Sequence, residues 1–142
     1  MKLKLVIIGI IATLALSMLA CSAGSKEKSL EVSFDDLTSQ KNITQQVEVP
    51  VGGSLKVTLG SNPTTGFQWS ENATNFSAFI AIKQVSHEYV APNSQQLGAA
   101  GKEVWTFEAL KEGTTTISME YSRPWEGGEK AEWTYKLTVT VK

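Results

Sequence analysis

The chain carries one cysteine and one histidine. A disulfide needs two cysteines, so no internal bridge can form. The cysteine, Cys21, sits beside the N-terminal apolar run, so no thiol remains for Cys–His catalysis in the rest of the chain. A Ser-His-Asp arrangement would have to use His87, which lies in the strand-like stretch Gln84 to Tyr89 and reads as a surface histidine. No serine stands in a nucleophile-elbow pattern. One histidine and one thiol do not make a zinc cluster, and Asp35-Asp36 lacks the spacing of a calcium loop. Glu126 and Glu129 are the one carboxylate pair near a loop that a hydrolase could use. Positive charge is also scarce: 13 Lys and Arg stand against 14 Asp and Glu. Nucleic-acid binding draws most of its strength from a basic patch, so it is not expected here. These absences point to no catalytic residue, no metal, no cofactor and no enzyme.

Long apolar runs are equally rare. The one present, Leu5 to Ala20, follows Lys2 and Lys4 and falls short of the roughly 20 residues that span a bilayer. It ends in Met18-Leu19-Ala20-Cys21, so residues 1–20 read as a signal peptide. Cys21 directly after the run resembles the bacterial lipoprotein pattern, in which this cysteine is acylated and becomes the first residue. Met18 and Leu19 depart from that pattern's commonest form. The other reading is an ordinary signal peptide cut nearby with a stray thiol left behind. Exposed free thiols are rare, which favours lipidation at Cys21. Residues 22–29 are small and charged and read, with Cys21, as a lipidated tether over 21–29. Residues 30–142 are left as one domain, exported, held in the cell envelope by a membrane anchor, and expected to be a monomer. Without Lys2 and Lys4, 11 basic side chains face 14 acidic ones, a net charge of −3.

The domain alternates with period two. Leu55, Val57 and Leu59 share one side of a segment, with Ser54, Lys56 and Thr58 on the other. Trp105, Phe107 and Ala109 repeat the pattern, as do Ile117, Met119 and Tyr121. Trp133, Tyr135, Leu137, Val139 and Val141 form the clearest run. Half-buried antiparallel strands have this period because successive side chains point to opposite faces. Strands are expected near residues 30–35, 43–49, 54–59, 67–71, 79–89, 103–109, 115–121 and 132–141. No stretch has a convincing helical period. The fold class is therefore all-β, an immunoglobulin-like antiparallel β-sandwich of about seven or eight strands. If the strands alternate in direction from residue 54 onward, connections 60–66, 90–102 and 122–131 emerge at the same end.

Each of those connections has its own character. Asn62-Pro63 opens a turn, because proline fixes its φ and keeps Asn62 out of the helical region. Gly66 can take positive φ and close it. Thr64 and Thr65 between them make a narrow, stiff wedge, although a plain strand-to-strand turn would read the same way. Trp69 belongs to the core. The second connection holds Gly98-Ala99-Ala100-Gly101, a bare backbone suited either to main-chain contact or to flexibility. In the third, Arg123-Pro124-Trp125 precedes two glycines. Trp125 lies outside the alternation on both sides. It is read as an exposed binding residue in preference to a lid over the sandwich end.

Taken in order, Asn62-Pro63-Thr64-Thr65-Gly66-Phe67, Gly98-Ala99-Ala100-Gly101 and Arg123-Pro124-Trp125 resemble the three loop signatures of the chagasin family of cysteine-peptidase inhibitors. The resemblance spans about residues 35–142. Ala100 stands where that family often has a further glycine. The resemblance implies a papain-like cysteine peptidase as partner, with the three motifs laid across its active-site cleft. Thr64 and Thr65 would approach the catalytic cysteine of the target. Residues 98–101 would lie along one side, and Trp125 with Arg123 would pack on the other. It implies reversible occlusion without a covalent bond. The alternative reading is an immunoglobulin-like envelope module whose Trp125 stacks on a carbohydrate or a protein partner.

Overall fold

The computed structural model describes residues 26–72 and 81–142. The expected signal peptide, Cys21 and the first part of the tether lie outside the described residues, as does the beginning of the strand expected at 79–89. Eight strands form two four-stranded sheets. In chain order these are β1 (Glu27–Val32), β2 (Asn42–Val49), β3 (Ser54–Ser61), β4 (Gln68–Asn72), β5 (Ile82–Val90), β6 (Gly101–Ala109), β7 (Gly113–Ser122) and β8 (Trp133–Val141). One sheet runs β1-β3-β6-β5 and the other β2-β8-β7-β4. The pairing is mostly antiparallel, but β1 lies parallel to β3 and β2 parallel to β8.

The alternation seen in the sequence is the core. Leu55, Val57, Leu59, Trp105, Phe107, Ile117, Met119, Tyr121, Tyr135, Leu137, Val139 and Val141 are buried between the sheets. Trp69 and Trp133 join them. Trp133 lies flat on Tyr121 at 4.6 Å and meets Phe34 edge-on at 4.9 Å. β5 is an edge strand, exposed along most of its length and bulged between Gln84 and Ser86. No helix among the described residues is long and apolar enough to cross a membrane.

Two expectations fail near the N-terminus. Residues 30–35 were expected as one strand with no helix nearby, yet α1 (Phe34–Gln40) follows β1 directly. Ser33 caps α1 by accepting from the Asp36 N–H, while the Asp36 carboxylate accepts from the Ser33 N–H. This capping box was the available signal. Two turns with one fully buried residue, Leu37, are too short to show a helical period. The second correction concerns the tether. β1 begins at Glu27, inside residues 21–29, and the Ser54 N–H donates to Lys26 O. Backbone pairing with β3 orders these residues, although their mostly charged side chains give no hydropathic pattern.

Strand direction places the connections. β3 and β1 run toward one end of the sandwich, where α1 and the connections 62–67, 91–100 and 123–132 lie. Turns 50–53 and 110–112 occupy the opposite end, where Gly52 N–H donates to Ala109 O and Val51 N–H to Lys142 O.

Candidate functional site

Asn62 is the hub of the loop end, and it is buried. Its backbone N–H donates to the Tyr121 hydroxyl at 2.8 Å. Its side-chain amide donates to Gly98 O, also at 2.8 Å, and so fastens the second loop to the first. Its Oδ1 accepts from the Thr64 N–H at 3.3 Å and the Thr64 hydroxyl at 2.6 Å. Its backbone oxygen accepts from the Thr65 N–H and hydroxyl. Pro63, with its φ already set, starts the short 3₁₀ turn Pro63–Thr65. Gly66 ends it in the left-handed region at φ 79°. Pro63, Thr64 and Thr65 are left exposed as a stiff tip.

The third loop leans on the first. The Arg123 guanidinium donates through Nε and Nη2 to Thr65 O, at 3.3 and 3.2 Å, and through Nη1 to Glu129 at 3.0 Å. It stands 4.5 Å over the Phe67 ring, which is itself buried on Tyr121. Trp125 is 51% exposed, yet one edge of its indole covers Gly66. A Cβ on Gly66 would come within 2.6 Å of that ring. Lys130 Nζ donates to Trp125 O at 3.0 Å and also bonds Arg123 O. At the end of the second loop, a Cβ on Gly101 would meet Tyr89 Oη and Val90 O at 2.5 Å, so only glycine fits there.

The structure thus brings all three sequence motifs to one end. Residues 63–66, 98–101 and 123–125 are exposed or half-exposed. Asn62 and Phe67 are buried supports beneath that surface. Glu129, the carboxylate weighed for a hydrolase, is engaged by Arg123. Sequence reasoning missed Tyr121 as a loop anchor, because its place in the strand alternation explained it as core. It also missed Lys130, and it singled out Glu129 as a possible hydrolase carboxylate instead of the partner of Arg123. The two threonine hydroxyls donate inward to Asn62, so the tip offers shape and backbone but no activated nucleophile. Among the described residues, no group of three or more His, Cys, Asp or Glu is placed to hold a metal. An open cavity of about 450 Å³, lined in part by Lys26, Gly52, Glu108 and Leu110, lies at the opposite end.

Comparison with known proteins fits this arrangement. A family model described as Chagasin family peptidase inhibitor I42 matches residues 48–139, a span that contains all three loops. Chagasin of Trypanosoma cruzi is 39% identical over 80 residues, covering 56% of this chain and 73% of that protein. Amoebiasin-2 of Entamoeba histolytica is 27% identical over 114 residues, covering 80% of this chain and 77% of that protein. Among solved structures, the cysteine protease inhibitor EhICP2 from Entamoeba histolytica matches with a TM-score of 0.64 at 21% identity, over 84% of this chain and all of that one. PbICP-C, solved in complex with falcipain-2, matches with a TM-score of 0.50 at 23% identity, over 81% of this chain and 99% of that one. At these identities the structural likeness is one of fold.

Proposed function

The chain belongs to the chagasin family of peptidase inhibitors, and on that premise we propose that it is a reversible, non-covalent inhibitor of papain-like cysteine peptidases. Members of this family are inhibitors, not enzymes. The observation that carries the reading is the coupling of the loops: Asn62 ties the first to the second, and Arg123 ties the third to the first. A surface locked before binding loses little freedom on binding, which is how a modest contact area becomes tight. Thr64 and Thr65, at the tip, enter the cleft and cover the catalytic cysteine. Residues 98–101 run along one wall. Trp125, propped on Gly66 and flanked by Arg123, packs on the other. Asn62 and Phe67 act from beneath. An interface of this type buries roughly 800 Å² per partner.

Hydrogen–deuterium exchange on the complex with papain tests this assignment. Slowed exchange is expected in segments 62–67, 97–101 and 122–126. Protection confined to the turns at 50–53 and 110–112 would place the peptidase at the wrong end.

We further propose that Cys21 carries a lipid anchor. Its position after the apolar run supports this, and so does the route of the chain. Lys26 enters beside the start of β3, whereas the loops follow the end of β3. An anchor at Cys21 therefore holds the domain by the end away from the loops, within roughly 17 Å of chain. Labelling with a fatty-acid probe is expected to mark the wild type and spare Cys21→Ser. Equal labelling of the two overturns the proposal.

A further inference from the structure

Behind the wedge stands a buried carboxylate that the contacts described so far do not use. Glu103 lies on β6, between β3 and β5, two residues past Gly101, and is 8% exposed. Its two oxygens are taken up by different strands. Oε1 accepts from the Ser61 hydroxyl at 2.7 Å. Oε2 lies 2.7 Å from His87 Nε2. Ser61 is fully buried and immediately precedes Asn62. His87 lies near the end of β5, its ring stacked on Trp105 at 4.6 Å. One carboxylate thus ties the root of the first loop to both roots of the second. Burying such a group is unfavourable, and an apolar side chain of similar volume would pack as well.

We propose that Glu103 is a positioning residue for inhibition: by holding Ser61 and His87 at once, it sets the height of Asn62, and so of the wedge, against the second loop. The proposal rests on the inhibitor reading above.

Proton placement makes it testable. A carboxylate only accepts, so the Ser61 O–H and the His87 Nε2–H both donate to it. An Nε2–H is present in the imidazolium and in one neutral tautomer, so the link holds as the ring gains or loses a proton. A glutamine at position 103 behaves differently. Its oxygen accepts from Ser61, and its nitrogen donates to His87 Nε2 only while that nitrogen is bare. Acidification protonates Nε2 and sets donor against donor. Turning the amide over restores the His87 bond but leaves the buried Ser61 hydroxyl without an acceptor. Either way one donor goes unmet at acid pH, the half-exposed His87 Nε2–H or the buried Ser61 hydroxyl, and none at neutral pH. The ionisable side chains sharing this face are Tyr89 and Glu103, while Lys83, Glu88 and Lys102 project from the other face of the β5–β6 ladder. On β3, the residues flanking Glu103 on this face, Leu59 and Ser61, do not ionise. His87 is the chain's one histidine, so no other imidazole contributes.

The experiment measures inhibition constants of wild type and Glu103→Gln against papain from pH 8 to pH 5, using full chains purified in detergent. The ratio of the two constants cancels the peptidase's own pH profile. It is expected to rise about tenfold on acidification, the scale of one unmet buried hydrogen bond. A flat ratio from two folded proteins overturns the proposal. If the wild type does not inhibit papain, the inhibitor reading fails on its own account, and an NMR titration decides this one. In Glu103→Gln, the amides of Asn62, Thr64 and Gly98 are expected to shift with the midpoint of the His87 ring, and in wild type to hold still. The absence of that difference overturns the proposal as well. Should Glu103→Gln not fold, His87→Ala is expected to weaken inhibition about fivefold and His87→Gln, which still donates to the carboxylate, to restore it. Equal inhibition by the two variants contradicts the proposed link.

Discussion

Gly66 and Trp125 show what single residues contribute here. The need for positive φ at residue 66 was legible in the sequence, because an Asn-Pro turn closing into a strand calls for it. That Trp125 covers the same glycine was not legible, since a contact between residues so far apart in the chain leaves no local pattern. Gly66→Ala therefore faces two obstacles, a disfavoured backbone and the indole ring. It is expected to cost about 1 kcal/mol of stability, read from urea unfolding, and to weaken inhibition further by displacing Trp125. Trp125→Ala separates the two effects. It is expected to leave the urea midpoint within error and to weaken inhibition by about 2 kcal/mol, as for other aromatic anchors. Asn62 and Phe67 mark the limit of motif reading. A motif includes the residues that hold a loop along with those that touch a partner, and burial distinguishes them.

Strands were legible and the helix was not. Period-two alternation identified β3, β6, β7 and β8 to within a few residues, because each turns one apolar face into the core, although Thr58 on β3 and Val104 on β6 are buried on the other face as well. The first half of β1 and α1 escaped for different reasons: residues 27–29 are charged or polar and are held by backbone pairing with β3, and α1 is too short for a period. Trp133 tests the strand reading. It is buried and stacked on Tyr121, which in turn anchors Asn62. Trp133→Ala is expected to cost roughly 3–5 kcal/mol, lowering the urea midpoint, and an unmoved midpoint contradicts the placement of β8. For α1, hydrogen bonds from Ser33 hold the Asp36 carboxyl below its ordinary range. A carboxyl lowered by folding stabilises the fold above its unfolded pKa, and that contribution is lost as pH falls through the folded one. Ser33→Ala is accordingly expected to lower the urea midpoint at neutral pH, by less than Trp133→Ala. The difference should shrink below the ordinary carboxylate range.

For the whole molecule, strand parity was enough to gather the three motifs at one end before any contact was known. Parity could not supply the locking, which depends on Asn62, Arg123 and their distant partners. Preorganisation is the property that separates an inhibitor from a loop that is merely present. Inserting two glycines after Thr64 keeps every motif residue but breaks the hydrogen bonds that Thr65 makes back to Asn62. It is expected to weaken inhibition more than Trp125→Ala while leaving the core unfolding transition in place. The most direct measurement is a titration of papain with the full chain purified in detergent. The account predicts saturable inhibition that reverses on dilution, with the chain recovered uncut. An absence of inhibition at micromolar concentration, from a protein shown to be folded, would contradict it and return Trp125 to the reading of a carbohydrate- or partner-binding surface.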